Sequence, residues 1–167
     1  VKNGNNNNNG GAGLYNKGTT TLTNVIFDNN KTNNSNPGGA IRHYSGSLTI
    51  TDSTISNSSG RNGAGLYAAD GTKTILTRCT FTGNTGSTYG GAVNYEGREL
   101  IDNAPAFVVT DCTFENNKAA TGGAMCLKHV TINGANFADN TATSAGDKVF
   151  LGTYGTYATF SASYTSY

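Results

Sequence analysis

Residues Leu76 to Ala92 read LTRCTFTGNTGSTYGGA, and two features of that stretch recur along the chain. The first is an apolar residue three positions before a small polar one: Phe27 and Asn30, Ile55 and Ser58, Phe81 and Asn84, Phe114 and Asn117, Phe137 and Asn140. The second is a Gly-rich tripeptide ending in Ala: Gly10-Gly11-Ala12, Gly38-Gly39-Ala40, Asn62-Gly63-Ala64, Gly90-Gly91-Ala92 and Gly122-Gly123-Ala124. The alanines are 28, 24, 28 and 32 residues apart, a mean repeat of 28. A linked pair of motifs in five copies defines a repeat unit, and a repeat constrains the fold before any other signal does.

Aligned on the Phe position, the units show columns of distinct character. Five residues upstream stand Leu22, Ile50, Leu76, Val109 and Ile132, all apolar, and two upstream stand Val25, Ser53, Cys79, Cys112 and Ala135, all small. Between them run a Thr-rich column (Thr23, Thr51, Thr77, Thr110, Asn133) and a polar one (Asn24, Asp52, Arg78, Asp111, Gly134). Alternation over so few residues predicts short half-buried strands, with the apolar and small columns inward. Gly, Asn, Thr and Ser supply about half of the 167 residues, which disfavours helices and favours strands and turns. The prediction is an all-β chain: a β-solenoid, or parallel β-helix, of about five to six coils, whose columns become ladders at the strand spacing of about 4.8 Å. The ladder of Phe27, Ile55, Phe81, Phe114 and Phe137 fills the tube, and Asn30, Asn84, Asn117 and Asn140 pass amide hydrogen bonds from coil to coil.

The paired motifs, Gly38 to Ile41 as Gly-Gly-Ala-Ile and Phe27 to Asn30, Phe81 to Asn84, Phe114 to Asn117 and Phe137 to Asn140 as Phe-x-x-Asn, resemble the polymorphic outer membrane protein repeat of chlamydial and other adhesin-like surface proteins. The resemblance spans about residues 10–150 and implies a right-handed parallel β-helix with an adhesive role. It departs at Ile55 and Ser58 in the second unit, and at Gly13 and Gly65, which stand where the Ile of the first motif belongs. The family's outer-membrane barrel has no counterpart in the chain.

Three regions follow: an Asn-rich lead-in over 1–9, the repeats over 10–150, and an aromatic-alternating tail over 151–167 that caps the last coil or contacts another subunit. Tyr154, Tyr157, Tyr164 and Tyr167 of that tail are candidate assembly residues. Two insertions bulge from the repeats, Lys31 to Pro37 and Glu96 to Ala106, and loops of this kind are where specificity resides in solenoids. The second holds the densest charge, and Glu96 and Arg98 are its candidate binding residues.

Net charge is +1 with 13% charged residues, no footprint for a nucleic acid or an anionic membrane. No apolar run approaches the roughly 18 residues that span a bilayer. A start at Val1 suggests a mature product or a piece of a longer chain. Glycoside hydrolysis needs two carboxylates about 5–9 Å apart; Asp52 and Asp111 lie two coils apart with Arg78 between them, a mixed-charge surface row rather than a catalytic pair. His43, aligned with Tyr15, Tyr67 and Tyr95, and the solitary His129 have no ligand partners at useful spacing, so neither metal nor cofactor is expected. Cys79 and Cys112 share an inward column on adjacent coils as a thiol pair or, with strain, a disulfide; Cys126 has no assigned mate. Of the glycosylation sequons at Asn30, Asn33 and Asn57, only Asn33 reads as accessible.

The expectation is a non-catalytic, extracellular or cell-surface module: a stalk, fibre unit or adhesin segment. Its expected partners are copies of itself stacked end to end, or neighbouring coils of a longer chain, together with glycan or host surfaces. The alternatives are a polysaccharide-binding or polysaccharide-degrading β-helix and, more remotely, ice binding through Thr21-x-Thr23 and Thr49-x-Thr51, an array interrupted at Ile75 and Val108.

Overall fold

The computed structural model describes residues 1–152 and the backbone of strand Thr159–Ser163. The aromatic tail residues Tyr154, Tyr157, Tyr164 and Tyr167 lie outside the described residues. No helix occurs among those described; the chain winds through three parallel sheets as a solenoid of about five turns. The first sheet stacks Leu14–Asn16, Ile41–His43, Leu66–Ala68, Val93–Tyr95, Met125–Leu127 and Val149–Leu151 in chain order. The second begins as two ladders, Thr20–Thr23 with Ser47–Thr51 and Lys73–Thr77, and Ile26–Asp28 with Thr54–Ser56 and Thr80–Thr82, which merge in the long strands Phe107–Glu115 and His129–Ala138. The third stacks Ser59–Asn62, Thr85–Tyr89, Lys118–Thr121 and Thr141–Ala145. The lead-in adds to both of these sheets, with Lys2 bridged to Asp28 of the second and Asn5 to Lys31, which bridges Ser59 of the third.

Phe27, Ile55, Phe81, Phe114 and Phe137 pair in one column, at steps of 28, 26, 33 and 23 residues. The 33-residue step contains the insertion after Tyr95; without it the repeat is near 26 residues, shorter than the 28 read from the alanines. Phe114 stacks on Phe81 and Phe137 with ring centroids 5.1 and 5.2 Å apart and planes 14° from parallel in both cases. Burial of each such ring stabilises by roughly 1.5–3 kcal/mol.

Beside the rings runs the amide ladder. The backbone N–H groups of Ser58, Asn84 and Asn117 donate to the side-chain oxygens of Asn84, Asn117 and Asn140 at 3.1, 3.0 and 3.0 Å. Each Nδ2 of Asn84, Asn117 and Asn140 donates to the carbonyl of the aromatic-column residue one coil earlier: Ile55, Phe81 and Phe114. At the N-terminal end Asn30 does the same work for the lead-in, accepting from Gly4 N–H at 2.9 Å.

What bends the second sheet is a column of left-handed residues. Asn24, Asp52, Arg78, Asp111 and Gly134 have φ of 55, 50, 49, 50 and 70°, so the polar column that sequence places in solvent is also the corner between the two ladders. Asn29, Asn57, Gly83, Asn116 and Asp139 repeat the conformation after the Phe column. Asn and Asp tolerate it best and Gly without cost; Arg78 is carried there by its neighbours, and its guanidinium forks onto Asp52 at 2.7 and 2.8 Å.

The Gly corner corrects the alanine alignment. Leu14 pairs with Ile41, and Ile41 with Leu66, so Gly11-Ala12-Gly13-Leu14 and Gly63-Ala64-Gly65-Leu66 align with Gly38-Gly39-Ala40-Ile41. The shared column is the left-handed glycine, Gly11, Gly38, Gly63, Gly90, Gly122 and Gly146, and the alanines slip by one place in two coils. Gly13 and Gly65 therefore do not displace the Ile of the motif; they sit where a Cβ would stand 2.7 and 3.0 Å from the rings of Phe27 and Phe81. The same register moves His43 out of the Tyr column. It stacks with Asn16, Ala68 and Tyr95, inward and fully buried, while the outward column is Tyr15, Arg42, Tyr67, Asn94, Cys126 and Phe150.

Cys79, Cys112 and Cys126 are free thiols, buried to within 1%. Cys79 N–H donates to Cys112 Sγ at 3.3 Å; the side-chain contact with the Cys79 thiol, and then burial, hold the Cys112 thiol above the ordinary thiol range against that N–H. Asn30 is buried and unavailable to a glycosyltransferase, whereas Asn57, like Asn33, is exposed. On the outer surface of the second sheet Thr23, Thr51, Thr77 and Thr110 stack in one column, and the next column reads Thr21, Thr49, Ile75, Val108 and Thr131.

Candidate binding groove

Three-residue strands in the first sheet leave one outward side chain per coil. That produces the column Tyr15, Arg42, Tyr67, Asn94, Cys126 and Phe150. The last strand residues of the third sheet, Asn62, Tyr89 and Thr121, form a second column in register beside the Gly corner. Between this column and the residues that leave the first sheet, Glu96 and Lys128, lies a groove of about 880 Å³, reached also by Arg61 and Phe150. Its residues come from coils separated by tens of positions, and only the register brings them together.

The electrostatics of the groove centre on Glu96. Tyr67 is raised above the ordinary phenol range by burial first and then by Glu96, and burial, with Glu96 again second, pushes the Cys126 thiol up to about 12. Neither group ionises at neutral pH, so both act as neutral partners. Asn94, fully buried between them, donates from Nδ2 to the Cys126 carbonyl at 2.9 Å. Its Oδ1 has no partner, nor have Asn62 Oδ1 and Arg42 Nε; the remaining orphan among the described residues is Thr74 Oγ1, on the inward side. Unpartnered buried polar atoms each cost about 1–3 kcal/mol, so three on one face call for a reason other than stability.

Toward the N-terminal coil the face becomes an aromatic and cationic cluster. Tyr15 and Tyr44 lie 5.9 Å apart at 47°. Lys17 Nζ stands 5.2 and 5.5 Å from their centroids, and the Arg42 guanidinium carbon 5.5, 5.4 and 6.0 Å from those of Tyr15, Tyr44 and Tyr67.

Of the two insertion residues singled out by charge, Glu96 lines the groove and Arg98 does not. Arg98 forks onto Asp70 at 3.2 and 3.1 Å and accepts at its carbonyl from the Tyr95 hydroxyl at 2.9 Å, clasping the insertion to the preceding coil. Beyond it, Leu100–Ile101 and Ala104–Pro105 form an antiparallel hairpin turned by Asp102 and Asn103 at φ 52 and 59°. Phe27, Ile55, Phe81, Phe114, Phe137 and the four Asn residues stand in the ladders described above, away from the groove. Asp52 is held by Arg78, its carboxyl below the usual range through that hydrogen bond, and Asp111 lies on the far side of the same arginine. His43 accepts from Asn16 Nδ2 at Nδ1, 3.1 Å, and faces the Lys73 carbonyl with Nε2, 3.2 Å; burial lowers its pKa. Among the described residues no three His, Cys, Asp or Glu side chains are grouped to hold a metal ion.

Sequence reasoning passed over Arg42, Arg61, Asn62, Asn94 and Lys128. The signal for Asn94 was available: a polar residue inside the short apolar strand Val93–Tyr95.

No curated protein and no solved structure matches the chain. The family described as "Right handed beta helix region" matches residues 1–166, nearly the whole sequence. With the parallel ladders and coil repeat as described, the chain belongs to the right-handed β-helix family.

Proposed function

We propose that the chain is a non-catalytic, surface-displayed binding module, adhesin-like in role, which holds an extended glycan in the groove between the first and third sheets. The observation that carries this reading is the coincidence on one face of the groove, the half-buried side chains Arg42 and Asn62, each with an orphaned polar atom, and the aromatic rings Tyr15, Tyr44, Tyr67 and Tyr89. Polyhydroxylated chains supply donors and acceptors to such groups and stack on such rings. The resemblance of the Gly-Gly-Ala and Phe-x-x-Asn motifs to adhesin-like surface repeats supports an extracellular setting. A degrading enzyme of the paired-carboxylate kind fits less well, because Glu96 is the one carboxylate among the described groove-lining residues.

Retention of the purified chain on an immobilised glycan panel tests this reading. Binding that is lost when Thr121→Trp fills the groove, with no new reducing ends formed, is the expected result. Binding unaffected by Thr121→Trp, or steady release of reducing ends, would overturn it.

The first-coil strands Leu14–Asn16 and Thr20–Thr23 each pair on one side only, so a further coil, from a longer chain or a second copy, has a place to add there.

A further inference from the structure

We propose that copies of the chain join head to tail, each giving half of one coil to the junction, so that the solenoid runs on from one molecule into the next. The inference concerns the two ends of the solenoid and is independent of what the groove holds.

The lead-in is the second half of a coil. Lys2 bridges Asp28 and Asn5 bridges Lys31, which sets Val1 over Phe27, Asn3 over Asn29 and Gly4 over Asn30. The columns of the later coils are kept. Asn3 is left-handed at φ 58°, as Asn29 is at 54°. Asn30 Nδ2 donates to the Val1 carbonyl at 3.1 Å, the bond that Asn84, Asn117 and Asn140 make to Ile55, Phe81 and Phe114. The lead-in therefore covers Ile26–Asp28 and the start of the third sheet, while Leu14–Asn16 and Thr20–Thr23 keep an open edge.

The other end is the converse. Val149–Leu151 lies on Met125–Leu127, and Thr159–Ser163 lies on residues 129–133. The first sheet and the first ladder are covered there, whereas residues 134–138 and strand Thr141–Ala145 have no strand on their far side among the described residues. Each end lacks the half coil that the other end carries. A lone extended peptide fills one of these gaps; a second copy fills both.

The columns fix how the ends meet. Val149–Leu151 and Thr159–Ser163 of one copy fall on Leu14–Asn16 and Thr20–Thr23 of the next. Asn5 of that next copy continues the column Lys31, Ser59, Thr85, Lys118 and Thr141, so it lands on Thr141. Val1, 55% exposed, lands between Phe137 of one copy and Phe27 of its own. Lys2 arrives on Ala138, beside the exposed Asp139, an opposite charge on the neighbouring strand.

Stacking pairs the open N–H and C=O edges and buries core residues that are only half-buried in the single chain: Leu14, Leu22 and Val25 at one end, Phe137, Val149 and Leu151 at the other. Two like ends bring the same half coil and leave the same gap, so the contact is heterologous. Coils follow one another along the axis, and such a contact repeats without closing, as a filament. With six strands in the first sheet, each copy adds about 29 Å at the strand spacing of about 4.8 Å.

Sedimentation velocity and negative-stain microscopy over a concentration series test the inference. Mass is expected to rise with concentration, into rods one solenoid wide that lengthen in steps of about 29 Å. Val1→Glu, solvated in the single chain, places a carboxylate between two rings at the junction. It is expected to keep the thermal transition measured at low concentration and to move assembly to at least tenfold higher concentration. Because its other end is intact, a minor fraction of it should shorten wild-type rods. Asn5→Cys copies mixed with Thr141→Cys copies under mild oxidation should give a cross-linked dimer that neither variant gives alone. A chain monomeric at every concentration, rods that thicken rather than lengthen, Val1→Glu assembling like its parent, or cross-linking of Asn5→Cys alone would each overturn the inference. Retention on glycans is a separate readout, so the binding role argued above stands or falls apart from these results.

Discussion

Asn117 offers one amide oxygen to Asn84 twice, accepting from its backbone N–H and from its Nδ2 at 3.0 Å each, and returns its own Nδ2 to the Phe81 carbonyl at 2.9 Å. Asn117→Ala strips these partners from a fully buried row and takes from Asn140 Oδ1 the Nδ2 donor, leaving it the backbone N–H of residue 117. The expected cost is about 2–4 kcal/mol, read as a fall in the thermal or denaturant midpoint. An unchanged midpoint would mean that the ladder does not carry the corner.

Phe114 is clasped between two parallel rings, so its truncation opens a cavity that neither neighbour can close. Phe114→Ala is expected to lower stability by about 3–5 kcal/mol and Phe114→Leu by roughly half as much, measured by chemical denaturation. Equal effects of the two would argue against a rigid stack.

Two left-handed positions should respond in opposite ways. Gly63, at φ 54°, has no room for a methyl group, which would collide with the Leu66 carbonyl oxygen. Gly63→Ala is expected to cost more than about 2 kcal/mol. Asn116 holds φ 54° with an exposed side chain, and Asn116→Gly relieves the conformation while adding freedom to the unfolded chain, so the net change stays within about 1 kcal/mol. A calorimetric comparison of the two variants decides the point.

His43 is buried and kept neutral in the fold, with its pKa lowered chiefly by burial. Because the unfolded chain binds the proton more readily, stability is expected to fall as pH drops below the ordinary histidine value of about 6.5, by at most about 1.4 kcal/mol per pH unit from this residue. Midpoints measured between pH 7 and 5 should show that slope, and His43→Gln should flatten it. A slope that persists in the variant would assign the effect to other groups.

All three thiols are buried and free. A thiol reagent should label the native chain slowly and label three cysteines once the chain is unfolded without reductant. A count of one after unfolding would reveal a bond between Cys79 and Cys112.

The solenoid was legible in the sequence because Phe81 and Asn84 have counterparts in every coil, and an inward ring or a buried amide tolerates few replacements. The alanine column misled by one place in two coils, since Ala and Gly exchange freely beside the left-handed Gly38 column that sets the corner. That slip also misplaced His43, which exchanges with Asn16 and Tyr95 as an inward polar or aromatic group rather than with the outward tyrosines. The bend at Asp52, Arg78 and Asp111 looked like a solvent row because its backbone conformation leaves no trace in an arginine. Glu96 could be picked out by charge density. Arg61, Asn62 and Lys128 could not, because each becomes part of a site only when coils far apart in sequence are wound into register.

In this solenoid the covalent chain runs around the axis while the ladder bonds between coils run along it, so tension applied along the axis is carried by hydrogen bonds and side-chain stacks rather than by peptide bonds. Detaching one coil releases a repeat of near 26 residues, or about 90 Å of extended chain. Under load the molecule would lengthen in discrete steps, one coil at a time, dissipating force before the next coil engages.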